Sequence, residues 1–359
     1  MYKEGITILN KNSQNTDFAV LELSTKAVKL LIGPQKDLVM QGSFKYRDNN
    51  DDFDFQKFYR TAEKPEAGKG LNSEMIMDMD YFNRNVIPSI KKMMRNISDK
   101  GINKVVCVAT AAYRNAENQD EILNSIKNSC GINVKVLNKV EEAEATYFAF
   151  INSKHEWIDT NESQILIDQG GGSTEITFFQ NNKMIQTHSL GFGTTDLLKE
   201  LFNNIPNDSE TIEQGFDRCK LHTHTHLRDM YLEANKAKLF DTDFDLCVAV
   251  GTAITSATQI KGNARQHCFE MSVDFIKDKL AQAESEISKP DVKTTLELKN
   301  IHTKLNDRYE KDTLLQAWLT MRLGLPMVLE LLEKFSLKNL MVSGTGLWYG
   351  IYFQEIHNS

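Results

Sequence analysis

The chain has 359 residues, 41% hydrophobic and 25% charged, with a formal net charge of −7. That length suits about two domains whose cores need neither disulfides nor a structural metal. The acidic balance excludes recruitment of nucleic acid by a global basic field, so any polyanion must be bound locally. With no run of about 18 apolar residues and no signal-like apolar stretch, no membrane partner is expected and the cytoplasm is the expected compartment.

In chain order, residues 18–33 (FAVLELSTKAVKLLIG) read as a strand, a turn at 24–26 and a second strand. Residues 52–70 are polar, with Pro65, Gly68 and Gly70, and read as a loop. Helical periodicity at 72–98 follows, then a buried strand at 104–109, a helix at 118–130, a short strand at 134–137 and a helix at 141–151. Strands restart at 164–168, 176–179 and 184–190, and helices are expected from 195 to about 231. A strand at 246–250, a mostly helical stretch at about 265–333 and a short strand at 340–342 complete the pattern. Alternating strands and helices define an α/β class. The unit of apolar run, acid, small polar loop and apolar run occurs near 18 and again near 164, which predicts a duplicated domain. The five cysteines form no CxxC pair and read as buried free thiols. The histidines of HTHTH at 222–226 read as a solvated helix end or loop rather than a metal site.

The chemistry concentrates in ILIDQGGGSTE, residues 165–175. A buried strand brings Asp168 to its C-terminal end, where open α/β sheets hold ligands. Gly170, Gly171 and Gly172 let successive N–H groups turn toward an anion, and Ser173 and Thr174 add hydroxyl donors. A divalent metal or its water is a natural partner for Asp168. In ATAAYRNAEN, residues 109–118, Arg114 lies near an expected helix start, where a guanidinium reinforces anion binding. Glu141 and Glu142 open the helix of VEEAEA; on spacing alone they read as helix-start carboxylates. VAVGTAIT, residues 248–255, has the strand, Gly-Thr turn and helix that suit a phosphate or nucleotide.

Taken in order with AGKGL at 67–71, SLGFGTTDL at 189–197 and VSGTGLWYG at 342–350, these segments resemble the exopolyphosphatase and guanosine pentaphosphate phosphohydrolase (Ppx/GppA) family. The resemblance implies two ribonuclease-H-like domains of the actin and hexokinase superfamily with a ligand cleft between them. The expected division is 1–145 and 146–359, with a C-terminal helix able to pack back on the first domain. It also implies a Mg²⁺ (or Mn²⁺) cofactor. Glu142 matches the family's catalytic base and Asp168 the metal-linked acid. Gly170, Gly171, Gly172 and Ser173 match the phosphoryl loop, with Thr174 beside them; Arg114 matches an arginine on the phosphate chain, and Glu175 an acid near the metal. The first loop departs from the family's Asp-x-Gly-Ser-Asn-Ser and reads Glu22-Leu23-Ser24-Thr25-Lys26-Ala27. There Glu22 reaches a metal through a water, and Thr25 and Lys26 join the phosphate-binding set. Gly344 and Trp348 stand where the family tends to have Asp and Arg. The expected reaction is release of terminal orthophosphate from inorganic polyphosphate. Hydrolysis of guanosine pentaphosphate to the tetraphosphate, and a catalytically weak sensor of such ligands, are the alternatives; a sugar or acid kinase is more distant. A homodimer is the oligomer considered.

Overall fold

The computed structural model describes residues 3–9, 17–34, 53–155, 158–159, 163–203, 211–259, 267–289 and 313–358. The chain forms two compact units, Met1–Ile158 with Thr345–Ser359, and Asp159–Gly344. The expected boundary at 145 falls inside a helix, Lys139–Ser153. Among the described residues no helix is long and apolar enough to cross a membrane.

The first unit's sheet contains β1 (Ile6–Ile8), β2 (Asp17–Leu23), β3 (Val28–Pro34), β4 (Tyr59–Glu63), β5 (Lys104–Ala109) and β6 (Lys135–Val136). β2, β3 and β4 form an antiparallel meander, and β5 runs parallel to β2. Strand alternation gives the sheet two buried faces. Ala19, Leu21, Leu23, Leu30 and Cys107 pack toward the helices at Ile87–Asp99 (α1) and, beyond a short Ala111–Arg114 (α2), Gln119–Cys130 (α3). Phe18, Val20, Leu31 and Val106 pack toward Lys139–Ser153 (α4) and the final helix. Asn138 and Glu141 cap α4 reciprocally, which satisfies two orphan donors and fixes where the helix begins.

β4 lies within the stretch expected to be a loop. Among the described residues it pairs only with β3, at the sheet edge, and its YRTAE sequence is the polar, charged kind that protects an edge from further pairing. The helical stretch expected from 72 begins at Met79, where the Asp78 side chain accepts from the N–H groups of Asp80 and Tyr81.

The second unit contains β7 (Ser163–Gln169), β8 (Thr174–Gln180), β9 (Lys183–Ser189), β10 (Leu246–Gly251), β11 (Phe269–Ser272) and β12 (Asn339–Val342). Their order is β11-β12-β10-β7-β8-β9. Helices α5 (Thr194–Asn203), α6 (Ile212–Lys236), α7 (Thr252–Gln259), α8 (Val273–Ile287) and α9 (Thr313–Lys334) surround one core. α10 (Leu347–Asn358) belongs to the first unit.

The sheets repeat one plan. β7, β8 and β9 form the same antiparallel meander as β2, β3 and β4, and β10 is parallel to β7 as β5 is to β2. β12 is then parallel to β10 as β6 is to β5.

The histidine tract is neither a helix end nor a loop: it lies within α6. One turn apart, His222 and His226 have ring centroids 4.3 Å apart, each 5.1 Å from the Phe192 ring. His224 instead sits 2.9 Å from Glu330.

Candidate active site

The two β-hairpins share one register. In the first unit Leu23 pairs with Val28 and Glu22 with Lys29; in the second Gln169 pairs with Thr174 and Asp168 with Glu175. Each turn closes with the same backbone bond, Ser24 N–H to the Ala27 carbonyl at 2.8 Å and Gly170 N–H to the Ser173 carbonyl at 3.0 Å. Directly opposed residues project from one face with Cβ atoms about 5 Å apart. Each hairpin therefore offers an acid, its cross-strand partner and a four-residue turn.

In the second unit both members of the pair are acids. Glu175 is buried, 2% exposed, and accepts from the Ser173 hydroxyl at 3.3 Å and the Ser189 hydroxyl at 3.1 Å. Those bonds hold its carboxylate beside Asp168, which is only partly buried. Gly170, Gly171 and Gly172 are also partly exposed, so their backbone is open to a ligand. The loop is braced from behind. Thr194 N–H donates to the Gly170 carbonyl at 3.1 Å and Thr195 N–H to the Gly171 carbonyl at 2.9 Å. Thr174 hydroxyl donates to the Phe192 carbonyl at 3.0 Å. This brace requires a glycine at 193, where a Cβ would lie 2.4 Å from the Gly171 carbonyl carbon. Beside the loop, Gly251 joins β10 to α7 at φ 128, and a Cβ there would lie 2.2 Å from the Gln169 carbonyl oxygen.

In the first unit the same pair is neutralised internally. Lys29 Nζ lies 2.6 Å from Glu22 Oε1 and 5.9 Å from the Trp348 ring centroid. Glu22 is 2% exposed, and its Oε2 has no hydrogen-bond partner among the described residues. Thr25 and Lys26 occupy the turn, half-buried. Burial pushes the Lys26 pKa down, Glu66 opposes that shift and Lys69 adds to it.

Arg114 and Glu142 are brought together. Arg114 ends α2 rather than opening a helix; its Nη1 donates to Glu142 Oε2 at 2.6 Å and to the Leu137 carbonyl at 2.9 Å. Glu142, in the first turn of α4, is 7% exposed, so this ion pair fixes its carboxylate. Arg114 Nε and Nη2 are buried without partners among the described residues.

The three acids expected to hold a metal are not alike. Asp168 and Glu175 share one sheet face and fit a hard divalent ion, which needs only one or two carboxylates when waters and phosphate complete its shell. Glu22 belongs to the other unit and already has an ammonium partner. Among the described residues no three His, Cys, Asp or Glu side chains form a metal-holding group. At the second unit's end, Gly344 N–H donates to His267 Nδ1 at 2.9 Å.

Lys29, Ser189 and Gly193 are absent from the expected set. Lys29 was within reach of sequence reasoning, since a four-residue turn after Leu23 places residue 29 opposite Glu22. Ser189 and Gly193 carry no such local signal.

Two mixed sheets of repeated plan, each with an acid-bearing hairpin, define a two-domain, actin-like α/β protein. The structure is similar to an Aquifex aeolicus member of the Ppx/GppA family, with 21% identity, TM-score 0.66, and coverage of 96% of this chain and 98% of that one. It is also similar to an exopolyphosphatase from Cytophaga hutchinsonii, with 14% identity, TM-score 0.67, and coverage of 95% and 98%. Among curated sequences, a bifunctional 3-dehydroquinate synthase/phosphatase of Fusobacterium nucleatum is 23% identical over 304 residues, or 81% of this chain. The chain spans 42% of that relative's length. The model of the Ppx/GppA phosphatase family matches residues 48–359, and the chain belongs to that family.

Proposed function

We propose that the protein hydrolyses the terminal phosphoanhydride bond of inorganic polyphosphate and releases orthophosphate, with Mg²⁺ (or Mn²⁺) as cofactor. The observation that carries this reading is the second-unit hairpin, where an open glycine turn stands beside two opposed carboxylates. The backbone N–H groups of Gly171 and Gly172, with Ser173, hold the terminal phosphoryl group, while the Gly170 N–H closes the turn and the buried Thr174 hydroxyl braces it; in the first unit Thr25 and Lys26 bind phosphate. Asp168 and Glu175 hold the metal, which when bound supplies charge neutralisation to the phosphate oxygens. Glu142, aligned by Arg114, orients a water and takes its proton as the water oxygen bonds to the terminal phosphorus. The bridging P–O bond breaks, and its electrons leave on the shortened chain. The charge that spreads over the transferring oxygens makes positioning and neutralisation the main work of the site.

Orthophosphate release from long-chain polyphosphate with Mg²⁺ or Mn²⁺ tests this. Release by the wild type that disappears in Glu142→Ala supports it. No release with any divalent ion sinks it and turns attention to guanosine pentaphosphate, which requires the same groups. A ligand-induced thermal shift without turnover of either substrate would mark a sensor, a reading favoured by the self-neutralised Glu22–Lys29 pair.

A further inference from the structure

We propose that the first unit carries an anion subsite of its own, formed by Lys26, Lys64 and Lys69 around Glu66, that takes the charged tail of an oligophosphate. Its ligand class rests on the phosphohydrolase reading above; its geometry does not.

The segment bearing Lys64 and Lys69 is fastened to the β2–β3 turn. Glu66 N–H donates to the Lys26 carbonyl at 3.1 Å and Gly68 N–H to the Thr25 carbonyl at 2.9 Å. The Tyr81 hydroxyl lies 2.9 Å from the Pro65 carbonyl and 3.2 Å from that of Glu66. Glu66 is held at φ 53, a left-handed conformation uncommon outside glycine. The segment is thus tied down at several points, and it sets Lys64, Glu66 and Lys69 beside the turn that carries Lys26. Lys69 pairs with Glu66. Lys26 lies within electrostatic range of Glu66 and Lys69, and Lys64 within range of Lys26 and Glu66.

The positive charge is in excess and incompletely used. Among the described residues Lys26 Nζ has neither a hydrogen bond nor an ion pair. Burial pushes the pKa of both Lys26 and Lys64 down, and repulsion from a neighbouring lysine adds to it in each case. An arriving polyanion relieves that repulsion. A ligand with several adjacent charges can meet all three point charges together, as a single orthophosphate would not. Free inorganic chains and the phosphate tail of a guanosine nucleotide share this chemistry.

Titration calorimetry on the full chain at low salt, with EDTA to prevent metal-dependent turnover, tests the subsite. Tripolyphosphate and guanosine 5′-triphosphate are the two probes. Lys26→Gln and Lys64→Gln should each weaken binding about five-fold, the scale of one partly exposed charge contact. Glu66→Gln should tighten it by a similar factor, which a merely damaged fold would not do. The exposed Lys236 on α6 serves as control, and Lys236→Gln should change nothing. Loss with both probes assigns the subsite to the shared tail; loss with one assigns it to that source. No wild-type binding, affinity indifferent to Lys26 and Lys64, or weaker binding in Glu66→Gln overturns the proposal. Orthophosphate release is assayed separately. Release with lysine-independent binding sinks the subsite alone, and lysine-dependent binding without release sinks the hydrolase reading alone.

Discussion

Arg114 and Glu142 are 28 positions apart in sequence yet meet in a charged contact of 2.6 Å at the candidate site. With the base assigned to Glu142, Glu142→Gln should lower orthophosphate release by about 10²–10⁴-fold; its amide oxygen still accepts from Arg114 but leaves that guanidinium without a counter-charge, so the melting temperature should fall, though less than in Arg114→Ala. Arg114→Ala should do both kinds of harm. It strands a buried carboxylate, which costs about 2–3 kcal/mol, somewhat below the toll at a fully enclosed pair. Urea unfolding and steady-state rates on the two variants separate the effects, and a stable Arg114→Ala with full activity would contradict both roles. A second residue contributes to the pH dependence of stability. His188 is buried; burial pushes its pKa down, and the nearby Glu233 only partly offsets this. The unfolded chain therefore binds this proton more readily than the folded one. Stability is full above the ordinary histidine value of about 6.5 and falls as pH drops through the lowered folded value. The urea midpoint should fall between pH 7.5 and pH 5.5, and His188→Phe should reduce that fall; an identical decline in the variant would rule out His188 as its source.

Elements show why some of this was legible and some not. The strand, turn, strand units at 18–33 and 164–179 announced themselves because apolar runs were interrupted by an acid and a short polar turn. β4 lies in a stretch that reads as a loop because an edge strand is polar by necessity. The tract at 222–226 reads as a helix end or loop because alternate histidines share a face only in a strand; inside the helix it is the residues four apart, His222 and His226, that align. The brace behind the glycine loop was invisible, since nothing local to SLGFGTTDL says which carbonyls its N–H groups will meet. Its consequence can be measured. Gly193→Ala places a methyl against Gly171 and must displace the loop or the start of α5. It should cost about 1–3 kcal/mol of stability and reduce orthophosphate release more than it reduces the melting temperature suggests. Full activity in this variant would show that the brace does not set the loop.

At the scale of the whole molecule, the repeated plan gives two hairpins of one register that differ in charge. One opposes acid with acid, Asp168 with Glu175; the other opposes acid with base, Glu22 with Lys29. Divalent cation binding should follow the first alone. Asp168→Asn should abolish calorimetric Mn²⁺ binding, whereas Lys29→Glu should lower stability without metal and recover part of it when Mn²⁺ is added. A Lys29→Glu protein indifferent to Mn²⁺ would mean that opposed acids on this hairpin do not suffice for a cation.

The excursion of the chain through its second unit has a cost in time. Phe18 stacks on Tyr352 at 4.9 Å, and the Tyr352 hydroxyl donates to the Pro34 carbonyl. One face of the earliest strands is therefore covered by the last helix. During synthesis at roughly 5–20 residues per second, the ribosome needs about 10–40 s to travel from the end of α4 to the start of α10. Throughout that interval Phe18, Val20 and Leu31 lack their partners on α10, and part of one apolar face of the nascent first unit stays uncovered.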